Sequence, residues 1–393
     1  MKEVKYSLTD LHSLLDVGLR HNNLINKKSP FHNIAKEVYS SLSKSGDTLS
    51  NKFYKNMKID VLRNHTNTTN PKIKSFDTDN ETSLVLIDDG YLHLTSSDYF
   101  AGKYECNFYN PTTFGNKLKL YQDYFEPTGR IGDLALIHST GPVGIRYKNQ
   151  AKSQITVKYA DRYKDNDLNC VVAIIDVGEG ANVTIEETFE NKEGCKIYKI
   201  IYLVREHGKL KVTRYHDETN KEKGLNVIET QVVQFPNSKF DIETIGSGSL
   251  YNQDLLYIDS YRNCKTDVKG RFNCKNESIN NIVVDVHHKD IESESNIDVK
   301  SVLDDKSYSS FLGNIIVDDD ATDVKAHLTN KNLLLSDRAS AVSEPQLDIN
   351  TKEIECTHGC TISNINENDL YYLTSKGIDT FQATELLKEA FLK

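Results

Sequence analysis

The sequence of 393 residues lacks tryptophan and contains only two methionines, seven prolines and 20 glycines. So little proline and glycine excludes collagen-like chains and low-complexity chains rich in these residues. The apolar stretches, such as those at 170–175 and 200–204, are far shorter than the roughly 18 residues that span a bilayer. The first residues include Glu3, Asp10 and Asp16 and lack the apolar segment of a signal peptide. We therefore expect a cytoplasmic protein with no membrane partner.

The chain has no excess of positive charge, because 48 basic residues stand against 57 acidic ones and give a net charge of −9. A surface that binds nucleic acid must neutralise phosphates with lysine and arginine, so the balance argues against a nucleic-acid partner. The seven cysteines are odd in number and widely spaced, unlike the dense even sets of small secreted domains. We interpret them as reduced thiols, which fits a cytoplasmic compartment.

Motifs of several enzyme classes are also missing. No G-x-x-x-x-G-K-[ST] string occurs, and Gly178-Glu-Gly180 lacks the third glycine of a dinucleotide fingerprint, so we expect no nucleotide on this chain. There is no G-x-S-x-G nucleophile elbow and no H-E-x-x-H zinc helix. The run Asp318-Asp-Asp320 suggests calcium or a polysaccharide-cleaving site, but three aspartates at a turn are more often solvated.

Hydrophobic periodicity divides the chain into helices, a long sheet region and helices again. Residues 9–46 predict two helices, and polar residues 47–80 predict a linker, so that 1–80 form an N-terminal region. Residues 81–365 have the apolar alternation of strands. Late in this region the alternating patches recur at roughly a dozen residues, separated by turn-type clusters such as Asp304-Asp305 and Asn330-Lys-Asn332. The patches are 296–303, 311–317, 324–328, 333–335 and 346–349. This pattern is compatible with a sandwich, a barrel or an irregular β-solenoid.

A short helical unit is predicted at 366–393. Asn366 can cap a helix that ends near Gly377, and Asp379 with Gln382 forms a capping-box pattern before a second helix. The unit is too small to bury all its apolar side chains, so we expect some of them to dock a partner. The candidates are Leu373, Leu386, Leu387 and Phe391.

The densest reactive cluster is Cys356-Thr-His-Gly-Cys360. On an extended strand Cys356 and His358 face the same side, and Cys360 shares this side if Gly359 does not kink the chain. A closed zinc site is not expected, because a structural zinc usually needs four ligands and no second pair lies nearby. Two interpretations remain: an open metal site completed by a partner chain, or a buried thiol beside a hydrogen-bonded core histidine at a turn.

Four strings in the last part of the chain together resemble the SufB/SufD family of iron-sulfur cluster assembly proteins. They begin at Asn332-Leu-Leu-Leu-Ser-Asp337 and Ser343-Glu-Pro-Gln-Leu-Asp-Ile349. They continue with Ile354-Glu-Cys-Thr-His-Gly-Cys-Thr361 and Asp369-Leu-Tyr-Tyr-Leu-Thr-Ser-Lys-Gly-Ile378. The Cys-x-His-Gly string points to the SufD branch. The sequence departs from the family pattern at Leu328, where glutamine is expected, and at Cys360, where a small apolar residue is usual.

The resemblance implies a mainly β protein, with a right-handed parallel β-helix core flanked by N-terminal and C-terminal helical segments. It also implies a SufB-like partner that pairs through the β-helices, or a second copy of this chain in its place, and a SufC-like ATPase on the C-terminal helices. By motif, His358 corresponds to the family histidine at the SufB/SufD interface, where a nascent cluster is thought to form. Cys356 is its neighbour on the strand.

The function expected from this resemblance is a scaffold subunit without turnover of its own. Its cargo is a transient iron-sulfur cluster or iron, bound jointly with the partner by His358 and Cys356, with Cys360 as a lesser candidate. Thiolate and imidazole are ligands that iron accepts, and a β-helix edge holds them rigidly. Two other functions stay open: a structural β-helix protein without a cluster site, and a polysaccharide-acting β-helix enzyme.

Overall fold

The computed structural model describes residues 84–88, 91–94, 101–108, 121, 124, 132–138, 142–160, 168–189, 194–216, 224–247 and 251–393. The helices predicted over 9–46 and the linker predicted over 47–80 lie outside these residues.

The described part of the chain is mostly β-strand. Its strands are β1 (Leu84–Asp88), β2 (Tyr91–Leu94), β3 (Tyr104–Phe108), β4 (Val143–Tyr147), β5 (Lys152–Ala160), β6 (Leu168–Val177), β7 (Asn182–Phe189), β8 (Gly194–Val204), β9 (Lys209–His216), β10 (Gly224–Gln234), β11 (Lys239–Ser247), β12 (Tyr251–Ser260), β13 (Lys265–Cys274), β14 (Ile279–His288), β15 (Glu294–Leu303), β16 (Tyr308–Val317), β17 (Val324–Leu334), β18 (Ser340–Ile349) and β19 (Ile354–Asn364). The helices in the same residues are α1 (Asp133–His138), α2 (Glu367–Ser375) and α3 (Thr380–Leu392). None of the helices in these stretches is both long enough and apolar enough to cross a membrane.

The strands form a β-solenoid of about seven turns, as the resemblance implied. The odd sheet contains β1, β2 and the odd-numbered strands from β5 to β19, and the even sheet contains β3 and the even-numbered strands from β4 to β18. Each turn gives one strand to each sheet, and successive turns pair in parallel. At the first end, β2 pairs antiparallel with β1 and β3 with β4. The solenoid is thereby selected over the sandwich and the barrel.

Stacked strands bring inward side chains into columns along the solenoid. In the odd sheet, Phe240 pairs with Thr266, 26 residues on, whereas Ser295 pairs with Ala326, 31 residues on. The turns between strands absorb this variation, so the stacking stays in register while the sequence shows no strict repeat. The inward columns are mainly apolar and form the core, in which Val183, Val212 and many other side chains are fully buried.

The cluster Asn330-Lys-Asn332 is not a turn, which corrects the expectation from sequence. It lies inside β17, and Asn330 and Asn332 are buried on its inward face. The Nδ2 of Asn330 donates to the backbone oxygen of Val299 at 3.1 Å, and the Nδ2 of Asn332 donates to Oδ1 of Asn330 at 2.7 Å. Because Val299 on the stacked strand and Asn330 on the same strand accept these hydrogen bonds, asparagine is tolerated in the core here.

The C-terminal helices begin and end where the sequence indicated. Asn366 caps α2 by accepting a hydrogen bond from the backbone N of Asn368, and Gly377 follows the helix with φ of +88°. Asp379 caps α3 by accepting from the backbone N of Gln382. These caps satisfy backbone groups that the helices leave free.

A buried lysine holds α1 on the outer face of the even sheet. Lys199 Nζ lies 2.7 Å from Asp133 Oδ1 and 2.8 Å from Glu229 Oε1, with all three side chains fully buried. Burial disfavours the ammonium, but the two carboxylates outweigh it and raise the pKa of Lys199. Sequence alone did not point to this cluster, because its members lie on three separate elements.

A second ion pair lies inside the solenoid. Arg214 Nε is 2.9 Å from Glu187 Oε2, and the same carboxylate accepts hydrogen bonds from Tyr159 and Tyr202. Burial disfavours the charged guanidinium, but Glu187 together with Tyr202 and Asp254 outweighs this effect and raises the pKa of Arg214. The neighbouring column contains His216, whose Nε2 is 3.3 Å from Asp254 Oδ2. Burying the charge of Arg214 or of Glu187 without the other would cost free energy of folding.

We predict that Glu187→Gln destabilises the protein, because it leaves the buried Arg214 charge without its counter-ion. The expected loss is roughly 3–5 kcal/mol in the free energy of unfolding, measured by urea denaturation at neutral pH. Glu186→Gln, on the exposed face of the same strand, is the control and should change stability by less than about 0.5 kcal/mol. Equal stability of the two variants would contradict the assignment.

Candidate functional site

The second end of the solenoid is formed by β18 and β19, the outermost strands of the two sheets. No strand in the described residues pairs with their outer edges. Inward-facing residues of β19, which would be core in any earlier turn, are therefore largely exposed here. Pro345 lies within β18, and proline in a sheet is found mainly on edge strands because it lacks a backbone N–H.

The Cys-x-His-Gly-Cys string forms one row on this inward-facing side of β19. Cys356 pairs with Ala326, His358 with Leu328 and Cys360 with Asn330, and these three β17 residues are all buried in the core. The strand continues through Gly359 without interruption, so Cys360 keeps the same side. The predicted shared side of Cys356 and His358 is confirmed.

His358 differs from the other histidines whose side chains the structure describes. It is exposed, and no hydrogen bond or ion pair joins it to any described residue. The other five each have a partner: His207 with Glu206, His216 with Asp254, His287 with Asp318, His288 with Ser293 and Ser295, and His327 with Thr357. The interpretation of His358 as a satisfied core histidine is therefore wrong.

The two thiols of the row have different surroundings. Cys356 is half-buried and packs against the core. Burial raises the pKa of the Cys356 thiol, and a backbone hydrogen bond with Ala326 offsets part of this effect. Cys360 is exposed at the end of the row. Cys360 is thus the more accessible thiol, and Cys356 is better positioned beside the core. In either side chain the thiolate is the form that binds metals and attacks electrophiles.

Metal ligation by this chain alone has little support. Within the described residues no group of three histidine, cysteine or acidic side chains comes close enough to hold a metal ion. Two neighbouring ligands on one strand face, such as His358 and Cys356, form an incomplete site. Such a site needs ligands from another chain or from the cargo.

The histidine pair and the acidic run serve the fold. His287 and His288 face opposite sides of β14, as the strand alternation predicted: His288 is fully buried, and His287 Nε2 lies 2.7 Å from Asp318 Oδ1. Burial and the neighbouring His287 lower the pKa of His288 to about 4, so it is neutral near pH 7. Asp318 belongs to a turn, as the sequence predicted for this aspartate run.

A polar groove of about 710 Å³ lies along the outer face of the odd sheet. Three of the four carboxylates that line it have partners: Lys239 Nζ is 2.7 Å from Asp241, and Lys265 Nζ is 2.9 Å from Glu294. Asp267 accepts from Asn296 at 2.8 Å and lies 3.1 Å from Lys269 Nζ. The fourth carboxylate, Glu355, has no hydrogen bond or ion pair with any residue that the structure describes.

The C-terminal helices present a different apolar face from the one expected. Leu373, Leu387 and Phe391 are half-buried, and the Phe391 ring lies 6.0 Å from Lys300 Nζ on β15. Leu386 is 47% exposed, as expected of a docking residue. The residues that sequence reasoning missed are Tyr371, Tyr372 and Phe381, which are 75%, 61% and 73% exposed. For the two tyrosines the sequence held a signal, because Leu370 and Leu373 share one helical face and the tyrosines lie off it.

The fold and its open end define a β-solenoid with a soft-ligand row at one edge. A family profile described as "SUF system FeS cluster assembly, SufBD core domain" matches residues 162–391, more than half of the chain. The chain therefore belongs to the SufBD family.

Several similar proteins are named SufD. The iron-sulfur cluster assembly protein SufD of Escherichia coli is 34% identical over 92 residues, which cover 23% of this chain and 22% of that protein. The SufD of Bacillus subtilis is 30% identical over 142 residues, 36% of this chain and 32% of that protein. The SufD of Plasmodium falciparum is 27% identical over 158 residues, 40% of this chain and 11% of that protein. The chain thus spans a third or less of the length of these relatives.

We predict that iodoacetamide labels Cys360 of the native protein faster than Cys356 at pH 8, because Cys360 is exposed while burial raises the pKa of Cys356. The labelling rate of Cys356 should keep rising as pH increases further, since its raised pKa moves formation of the thiolate to higher pH. Mass spectrometry of the labelled peptides measures both rates. Cys274, whose pKa burial raises to about 12, is the unreactive internal control. Equal rates at Cys356 and Cys360 would overturn this ordering.

Proposed function

We propose that this protein is a SufD-like scaffold subunit for iron-sulfur cluster assembly in the cytoplasm. It pairs with a SufB-like chain, docks a SufC-like ATPase, and turns over no substrate itself. One observation carries the proposal: in a SufBD-family chain, His358 stands exposed and unpartnered on the inward row of the open last turn. A histidine kept free at such an edge is available to a ligand from outside the chain.

The open edge supports pairing with another β-solenoid. The outermost strands β18 and β19 present backbone N–H and C=O groups that a further strand can satisfy. Addition of a strand to such an edge supplies main-chain hydrogen bonds, while side chains on both partners supply specificity. A SufB-like chain that pairs here would face its own last turn toward the row of Cys356, His358 and Cys360. A second copy of this chain is the alternative occupant.

The chemistry of the row suits a shared site. Iron accepts thiolate sulfur and imidazole nitrogen, and a cluster needs several such ligands. This chain offers His358, with Cys356 beside it and Cys360 as a lesser third, and the partner would complete the coordination. The cluster is then the cargo of the complex, held only until transfer.

The exposed face of the C-terminal helices supports the ATPase contact. Tyr371, Tyr372, Phe381 and Leu386 are large apolar side chains left exposed on one small unit. Aromatic residues of this kind are the usual anchors of protein interfaces. We therefore assign the docking surface to these four residues, in place of Leu373, Leu387 and Phe391, which are half-buried.

We predict that His358→Ala leaves the melting temperature and partner binding nearly unchanged while cluster formation on the complex falls sharply. The exposed ring makes no hydrogen bond or ion pair with a described residue, so its loss should cost less than about 0.5 kcal/mol of stability. Cluster formation is followed by absorbance during anaerobic reconstitution with iron and sulfide, with and without the SufB-like partner.

His327→Ala is the matched control for His358→Ala. His327 is also exposed and lies on the adjacent strand, but on the outer face of the sheet. This variant should assemble clusters at the wild-type rate. If His358→Ala melts early, or assembles clusters as fast as His327→Ala, the role of His358 is refuted.

We predict that Phe381→Ser weakens ATPase binding by roughly 2 kcal/mol, about 30-fold in Kd, as expected for an interface anchor. Tyr371→Ser should act in the same direction. Calorimetric titration of the SufC-like subunit measures both, and Glu389→Gln on the same helix is the control. Unchanged affinity in the folded Phe381 and Tyr371 variants would rule out this docking surface.

A further inference from the structure

The column beneath His358 is aliphatic along the length of the odd sheet. The residues that pair in succession are Ile155, Ile185, Val212, Ile242, Val268, Ile297 and Leu328, with His358 as the next member. All seven are buried, and Leu328 is 0% exposed. His358 is thus the point at which a continuous apolar column meets the open end.

Leu328 fills the last closed layer across the full width of the interior. Its Cδ1 would lie only 2.5 Å from a Cβ added at Gly313, which belongs to β16 in the facing sheet. The same added atom would lie 2.7 Å from the ring of Phe311. Glycine at 313 therefore makes room for Leu328, and together with Phe311 the three residues close the core below the row.

This closed layer determines where the His358 ring can go. An imidazole turned inward would meet the Leu328 side chain and lose the hydrogen bonds that its nitrogens make with water. In the next column, Asn330 is already engaged with Val299 and Asn332. The ring therefore points away from Leu328 and out of the open end of the solenoid, with both nitrogens free.

We propose that Leu328 is a positioning residue for His358. By closing the core with an apolar side chain, it withholds an intrachain hydrogen-bond partner and directs the imidazole out of the open end, toward a metal ion of the iron type. The role of this positioning in metal binding rests on the proposed function. The packing of Leu328 below His358 does not depend on it.

The test compares two side chains of similar size, Leu328→Gln and Leu328→Met. Glutamine places a hydrogen-bonding amide beneath the ring, whereas methionine keeps the layer apolar. Carbethoxylation of His358 by diethyl pyrocarbonate, measured by mass spectrometry on the isolated full chain, reports how free the imidazole is. His327 in the same molecule is the internal reference.

In Leu328→Gln we expect the His358 rate, relative to His327, to fall roughly fivefold, as for a ring held by one neutral hydrogen bond. Leu328→Met should retain the wild-type ratio, which a general loss of stability would not allow. If the glutamine variant fails to fold, Leu328→Asn replaces it, measured below its melting transition. Its amide also offers the ring a hydrogen bond from beneath, so the rate should fall as well.

A folded glutamine or asparagine variant whose His358 rate matches that of Leu328→Met overturns the positioning role. Cluster formation with the SufB-like partner is measured on the same variants. If the modification rates change as expected while His358→Ala still assembles clusters normally, the positioning role stands and the proposed function fails. The two conclusions are thereby tested separately.

Discussion

Parallel stacking is the constraint from which the rest of this structure follows. Each strand satisfies its backbone hydrogen bonds only through the strands above and below it, so the stack must end differently from how it continues. At the first end, the antiparallel strands β2 and β3 cover β1 and β4. At the second end, no described strand covers β18 and β19. The solenoid is asymmetric, and its candidate site lies at the uncovered end.

The same stacking explains which side chains become available for chemistry. Within the body, an inward polar group must find its partner inside, as Glu187 does with Arg214 and Asn330 does with Asn332. In the last turn, inward positions have no further layer above them. By its pairing with Leu328, His358 stands where earlier turns have a core residue, yet its side chain is exposed. The last turn of the stack thus holds a histidine on a rigid strand, with its ring pointing out of the open end.

Much of the fold and part of the site could be predicted from the sequence. Strand alternation, the helix caps at Asn366 and Asp379, and the shared face of Cys356 and His358 depend on local chemistry, which the sequence displays directly. The strand through Asn330 could not be recognised, because Val299, which accepts from its amide, belongs to the neighbouring turn. Exposure of Phe381 was also hidden, since it depends on which helical face packs against β15.

The most direct test of a shared cluster site uses histidine labelled with ¹⁵N in this chain alone, assembled anaerobically with an unlabelled SufB-like partner. Electron spin echo envelope modulation of the reduced cluster detects nitrogen bonded to iron. We expect a ¹⁵N coupling that disappears in the His358→Ala protein. A cluster that forms on the complex without any ¹⁵N coupling would contradict ligation of the cluster by His358.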